Sequence, residues 1–188
     1  MKNNNDKRVF IGIAIGRKIK SILPIIKSAI NCKPSHIKWI PIEDIHLTLS
    51  FLGKIRTNNI PHLIESLEKK ISSDNFQITI TGVGVFPPYK SPKVLWLGIG
   101  EGLDELRSIQ CIVEKSITKF REHYLKMIFT PHITIAKIRR LHGKIDVLPF
   151  LNSVYSPIEL DVNSIYLYES QLLPERVQYS ILNAFPLN

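Results

Sequence analysis

Two histidines carry the first chemical signal in the chain. His46 and His132 each stand two residues before a threonine, in the segments IHLTLSFLG (45–53) and PHITIAKI (131–138). Six histidines and seven threonines among 188 residues would give roughly 0.2 such triplets by chance, the standard for a short motif. Both copies alternate apolar and polar residues. Leu47, Leu49 and Phe51 fall on one side of an extended chain, with His46, Thr48 and Ser50 on the other; Ile133 and Ile135 likewise oppose His132 and Thr134. A strand of this pattern buries its back and presents imidazole and hydroxyl together on its open face. Histidine can both give and take a proton near neutral pH. Two imidazoles on opposite sides of phosphorus suit in-line attack of water on a phosphodiester, one as base toward the water and one as acid toward the leaving oxygen. Threonine hydroxyls can donate to the non-bridging oxygens, where charge grows in the transition state. Such a pair needs one neutral and one protonated ring, so its activity is bell-shaped in pH.

The elements that must hold these residues are short and mixed. Strands are expected over Arg8–Ile15, Ile37–Ile40, Ile45–Leu52, Phe76–Phe86, Val94–Ile99, His132–Ile138, Ile158–Glu169 and Val177–Asn183, all rich in Ile, Val and Thr. Helices are expected over Arg17–Asn31, where Pro24 must start or kink the helix, over Asn59–Ser72 behind candidate asparagine caps, and over Leu103–Tyr124. The last begins acidic and ends basic, as the helix dipole prefers. The order predicts an α+β fold with mainly antiparallel sheets. The second motif repeats the first 86 residues later. That repeat predicts a single bilobal domain over residues 1–188: two pseudo-symmetric lobes with helices outside, each contributing one His-x-Thr strand to a central cleft. Phe51 and Trp96 read as core residues.

Net charge is +9 and the pI about 9.6, a balance that favours polyanionic partners, nucleic acid first. Cys32 and Cys111 are the only cysteines and form no C-x-x-C, which suits a reducing compartment without disulfides or thiolate metal sites. The apolar run VFIGIAIG (9–16) is too short to span a bilayer and reads as a buried strand. A cytoplasmic monomer without a cofactor or an obligate protein partner is expected. Metal ligation by His46 and His132 lacks a third donor at ligand spacing. No G-x-x-x-x-G-K loop accompanies the motifs, so ATP dependence is not expected.

The two motifs resemble the signature of the two-histidine (2H) phosphoesterases, and the whole chain resembles their RNA 2′,3′-cyclic phosphodiesterase branch. The likeness runs through RVFIGIAI, HLTLSFLG, VLWLGI, TPHITIAKI and VQYSILNAFPL. It implies hydrolysis of a 2′,3′-cyclic phosphate at the end of an RNA to a 2′-phosphate, without metal. It further implies His46 as general acid, His132 as general base, and Thr48 and Thr134 as phosphate holders. Lys137 stands where this family often has arginine, which keeps the charge and loses the bidentate fork. Lys137, Arg139, Lys93 and Tyr89 are candidate substrate contacts, the cations for RNA phosphates and the tyrosine for stacking on a base. Small cyclic nucleotides or 2′-5′ oligonucleotides are the alternative substrates. A non-catalytic RNA-binding module is the reading from another class, and affinity alone does not require two placed imidazoles.

Overall fold

The structure is a computed structural model that describes residues 6–30, 36–88, 91–121, 128–139, 145–173 and 177–188. Among them nine strands form one sheet. They are β1 (Asp6–Ala14), β2 (Ile37–Trp39), β3 (His46–Arg56), β4 (Phe76–Phe86), β5 (Val94–Ile99), β6 (Ile133–Ile138), β7 (Ile158–Val162), β8 (Ser164–Leu172) and β9 (Val177–Pro186). Four α-helices join them: α1 (Leu23–Ser28), α2 (Ile60–Glu68), α3 (Leu103–Ile117) and the short α4 (Leu148–Leu151). The α+β class is as expected, and the two expected sheets prove to be the halves of one.

Several elements differ from their sequence pattern for local reasons. The stretch Gly16–Ser28 is a 3-10 turn (Gly16–Ile19) followed by α1, with Pro24 in the first turn of the helix, where its missing N–H costs nothing. Asn59 precedes α2 and makes no side-chain capping bond. The single strand expected over Ile158–Glu169 breaks at Asn163 into β7 and β8.

The strand order is β7-β4-β5-β6-β3-β1-β8-β9, and every pairing described is antiparallel. β7 and β8 lie far apart in that order yet are separated in the chain by Asn163 alone. One residue spans only about 3.8 Å, so the sheet must curl until its ends meet there. Backbone bonds fasten that corner: Leu187 N–H donates to the Asn163 carbonyl (2.9 Å), and Asn75 N–H to the Asn188 carbonyl (2.7 Å). Helix α3 packs on β3 and α2, and α4 packs on β4.

The halves β7-β4-β5-β6 and β3-β1-β8-β9 touch along the two motif strands. Their described pairing is a single rung, Leu47 opposite Ile133, both with no exposed surface. β3 then leaves β6, and the short β2 takes over the same edge from Ile138 to Ala136. A cleft opens where the motif strands part.

Both motif strands also carry a β-bulge at the same place. In β3, Thr48 pairs with Gly12 and Ser50 with Ile11, leaving Leu49 as the extra residue. In β6, Thr134 pairs with Trp96 and Ala136 with Leu95, leaving Ile135. An extra residue reverses which face the rest of the strand presents. Gly12 permits the close approach of β1 to β3, since a Cβ there would lie 2.7 Å from the Leu47 carbonyl oxygen.

Because Ile133 is fully buried on the one described rung between β3 and β6, Ile133→Ala is expected to lower unfolding free energy by about 2–5 kcal/mol, the range for a fully buried branched side chain. Urea denaturation monitored by tryptophan fluorescence checks this, and a loss under about 1 kcal/mol would contradict it.

Candidate active site

The Leu47–Ile133 rung dictates how the two motifs meet. One step either way in that antiparallel register sets His46 opposite Thr134 and Thr48 opposite His132. The register thus sets each histidine level with the other motif's threonine. All four side chains line one cleft of about 340 Å³, together with Lys137, Phe51, Arg8 and Tyr179. A broader hollow near Ile22, Ile25 and Val154 contains none of the motif residues.

The two histidines are tethered alike. The Nδ1 atom of His46 lies 2.7 Å from the Asp44 carbonyl, and that of His132 lies 2.8 Å from the Thr130 carbonyl. A carbonyl only accepts, so Nδ1 carries the proton in both rings. Nε2 is then the atom that titrates, a base when bare and an acid when protonated. Asp44 owes its place to a 3-10 turn (Ile42–Asp44) immediately before β3.

Aromatic rings pack around both imidazoles. His46 lies 4.6 Å from Phe10, 5.1 Å from Tyr179 and 5.9 Å from Tyr168. His132 meets Phe86 edge-on at 5.0 Å and Trp96 at 6.3 Å. Trp96 has its place because residue 84 is glycine, where a Cβ would fall 2.1 Å from the indole. Burial lowers the pKa of His46 below its ordinary 6.5; the Asp44 carbonyl opposes this, while Lys137 and His132 lower it further. These surroundings favour the neutral form of His46. A phosphodiester anion seated beside it would favour the charged ring.

The bulges correct three expectations. Ser50 was expected beside His46 on the open face, and Phe51 in the core. Instead Ser50 is buried at 5% exposure while Phe51 is 67% exposed and lines the cleft, because Leu49 shifts the alternation. Trp96, also read as core, is half-buried with one edge toward His132. The same shift in β6 buries Ala136 and turns Lys137 into the cleft. Phe51 and Lys137 are equivalent residues, each fifth after its histidine.

Arg139 and Lys93 are exposed and lie outside the cleft lining, and Tyr89 falls outside the described residues. Sequence reasoning did not find Phe10, Phe86, Tyr168 or Tyr179. They come from other strands, and only the pairing of those strands with β3 and β6 brings them in. Among the described residues no three His, Cys, Asp or Glu side chains gather as a metal site.

The LigT like Phosphoesterase family matches residues 19–96, which include the first motif. A protein of Aquifex aeolicus named RNA 2′,3′-cyclic phosphodiesterase is 32% identical, over 96% of this chain and 97% of its own length. One of the same name from Thermotoga maritima is 28% identical over 93% and 92%. The crystal structure of Escherichia coli LigT complexed with 3′-AMP superposes with a TM-score of 0.75 at 20% identity, covering 97% and 98% of the two chains, a likeness of fold. Two matched motifs on one curled sheet, with a relative alike over nearly its whole length, place this chain in the LigT-like phosphoesterase family.

Proposed function

We propose that the chain is an RNA 2′,3′-cyclic phosphodiesterase that converts a terminal 2′,3′-cyclic phosphate to a 2′-phosphate. The observation that carries this is that two tethered imidazoles and both motif threonines line one cleft beside one buried rung. The near full-length relatives of that name support the choice of substrate. The chain then works as a single bilobal domain with one motif per lobe. We read it as a cytoplasmic monomer that needs no cofactor; among the described residues no helix is long and apolar enough to cross a membrane.

In the proposed reaction, Nε2 of His132 takes a proton from water as the water oxygen bonds to phosphorus. The bond from phosphorus to the 3′ oxygen breaks, and Nε2–H of His46 gives its proton to that oxygen. The products are a 2′-phosphate and a 3′-hydroxyl. Thr48 and Thr134 donate to the non-bridging oxygens, and Lys137 supplies positive charge beside them. The lowered pKa of His46 fits an acid that is charged by its substrate: the phosphodiester anion brings the proton in with it.

RNA ending in a 2′,3′-cyclic phosphate is expected to yield 2′-phosphate ends in the presence of EDTA. His46→Ala and His132→Ala should each lose about 10²–10⁴-fold in kcat, the usual contribution of a positioned acid or base. Phosphate-specific product analysis reads this; a 3′-phosphate product, or full activity in either variant, would refute it.

The pH profile carries a second expectation. The rate constant kcat/KM reports the free enzyme and kcat the complex. With His46 as acid, the alkaline limb of kcat/KM should lie below 6.5, and that of kcat should lie at higher pH. Replacing Lys137 with methionine removes a charge that lowers the His46 pKa, so it should move the kcat/KM limb upward. A limb in the same place for both constants and both proteins would exclude this coupling.

A further inference from the structure

The bulge in β6 reorients more than Lys137. Beyond it Ile138 packs against the core, paired with the buried Ile37, so the residues on either side, Lys137 and Arg139, emerge on the cleft side. Without the extra Ile135 both cations would share the face of Ile133 and belong to the core. β2 adds to this row. Lys38 pairs directly with Lys137, and the Arg139 N–H donates to the His36 carbonyl (2.8 Å), which fixes Arg139 one step farther from His132.

Lys137 and Arg139 take part in none of the ion pairs formed among the described residues. Lys137 lines the cleft, whereas Arg139 lies past its edge. The opposite wall is richer in apolar and aromatic groups, Phe51, Leu172, Val177 and Tyr179, with Arg8 beside them. Lys137, Lys38 and Arg139 thus form a cationic row that leads out of the cleft along β6 and β2, a path that a polyanion can follow.

We infer that Lys38 and Arg139, following Lys137 along β2 and β6, bind the phosphodiester on the 5′ side of the terminal nucleotide, so that the enzyme selects oligonucleotide ends over cyclic mononucleotides. The inference rests on the phosphodiesterase reading above. Lys137 serves the reacting phosphate; Lys38 and Arg139 serve the next one. The RNA body then runs over β6 and β2, away from the aromatic wall around His46.

The test compares adenosine 2′,3′-cyclic phosphate with a diribonucleotide ending in the same group. Wild-type kcat/KM should be roughly 10-fold higher on the dinucleotide, mainly through KM, the scale of one charge-assisted contact at an exposed site. That advantage should fall as salt rises, with a log–log slope about 0.7 steeper than for the mononucleotide, as one phosphate neutralised on a single strand requires. The Lys38→Ala/Arg139→Ala double variant should bring the ratio of the two substrates close to one, and Lys38→Arg/Arg139→Lys should retain it. Equal loss on both substrates, or an unchanged ratio, would overturn the inference. Binding of the two 2′-phosphate products, measured by calorimetry, separates the two claims. A dinucleotide preference in binding without any turnover would sink the phosphodiesterase reading and leave the track standing. Turnover without a preference for length in either measurement would do the reverse.

Discussion

The site depends on one rung of one sheet. Leu47 and Ile133 meet with no exposed surface, and the two-residue period of a strand then forces their neighbours out on the opposite face. Burying that pair therefore also places His46, Thr48, His132 and Thr134 together. Had either strand slipped by one residue, its histidine and threonine would point into the core. The fold guards the register from behind: β1 holds β3 and β5 holds β6, each through several paired residues. The motif strands can part beyond the rung because these flanking pairs bear the load.

The matched bulges supply what alternation alone cannot. A histidine and a threonine two apart need only a regular strand; a third group on the same face beyond them, five residues from the histidine, needs an odd step. Leu49 and Ile135 provide it. The extra back-face residue is handled differently in the two halves. Ala136 is simply buried, whereas Ser50 donates to Glu114 of α3 (2.7 Å) and accepts from Arg121. Arg121 also donates to Glu114 (2.6 Å) and to the Phe51 carbonyl (2.7 Å). A largely buried ion pair is tolerable when its donors are this well met. Here the network ties α3 to the bulge that presents Phe51.

Much of this was legible in the residues. The strands Phe76–Phe86 and Val94–Ile99 are found over those same residues, because alternation and β-branched content act locally. The four motif side chains were found for the same reason. What stayed hidden is non-local. Nothing in Ile158–Glu169 marks Asn163 as the corner between distant strands; that follows from the curl of the whole sheet. Nothing in HLTLSF marks Leu49 as extra, since a bulge is defined by its partner strand. The errors at Ser50 and Phe51 are thus one error, a period of two carried past the point where it fails. The aromatic rings around the histidines were missed because they come from other strands.

The two motifs build a nearly symmetric pair of imidazoles, yet in the proposed reaction a cyclic phosphate on a nucleoside has a sugar on one side of phosphorus and water on the other. Matching tethers on Asp44 and Thr130 cannot tell the two sides apart. The distinction has to come from residues that the repeat does not copy. The positions after the bulges meet that need, with an aromatic ring at Phe51 and a cation at Lys137. So does the packing around His46, where Phe10, Tyr168 and Tyr179 close on the ring and burial lowers its pKa. Symmetry thus supplies two like imidazoles, and under the proposed reaction the departures from symmetry are what can decide which way round a substrate lies between them.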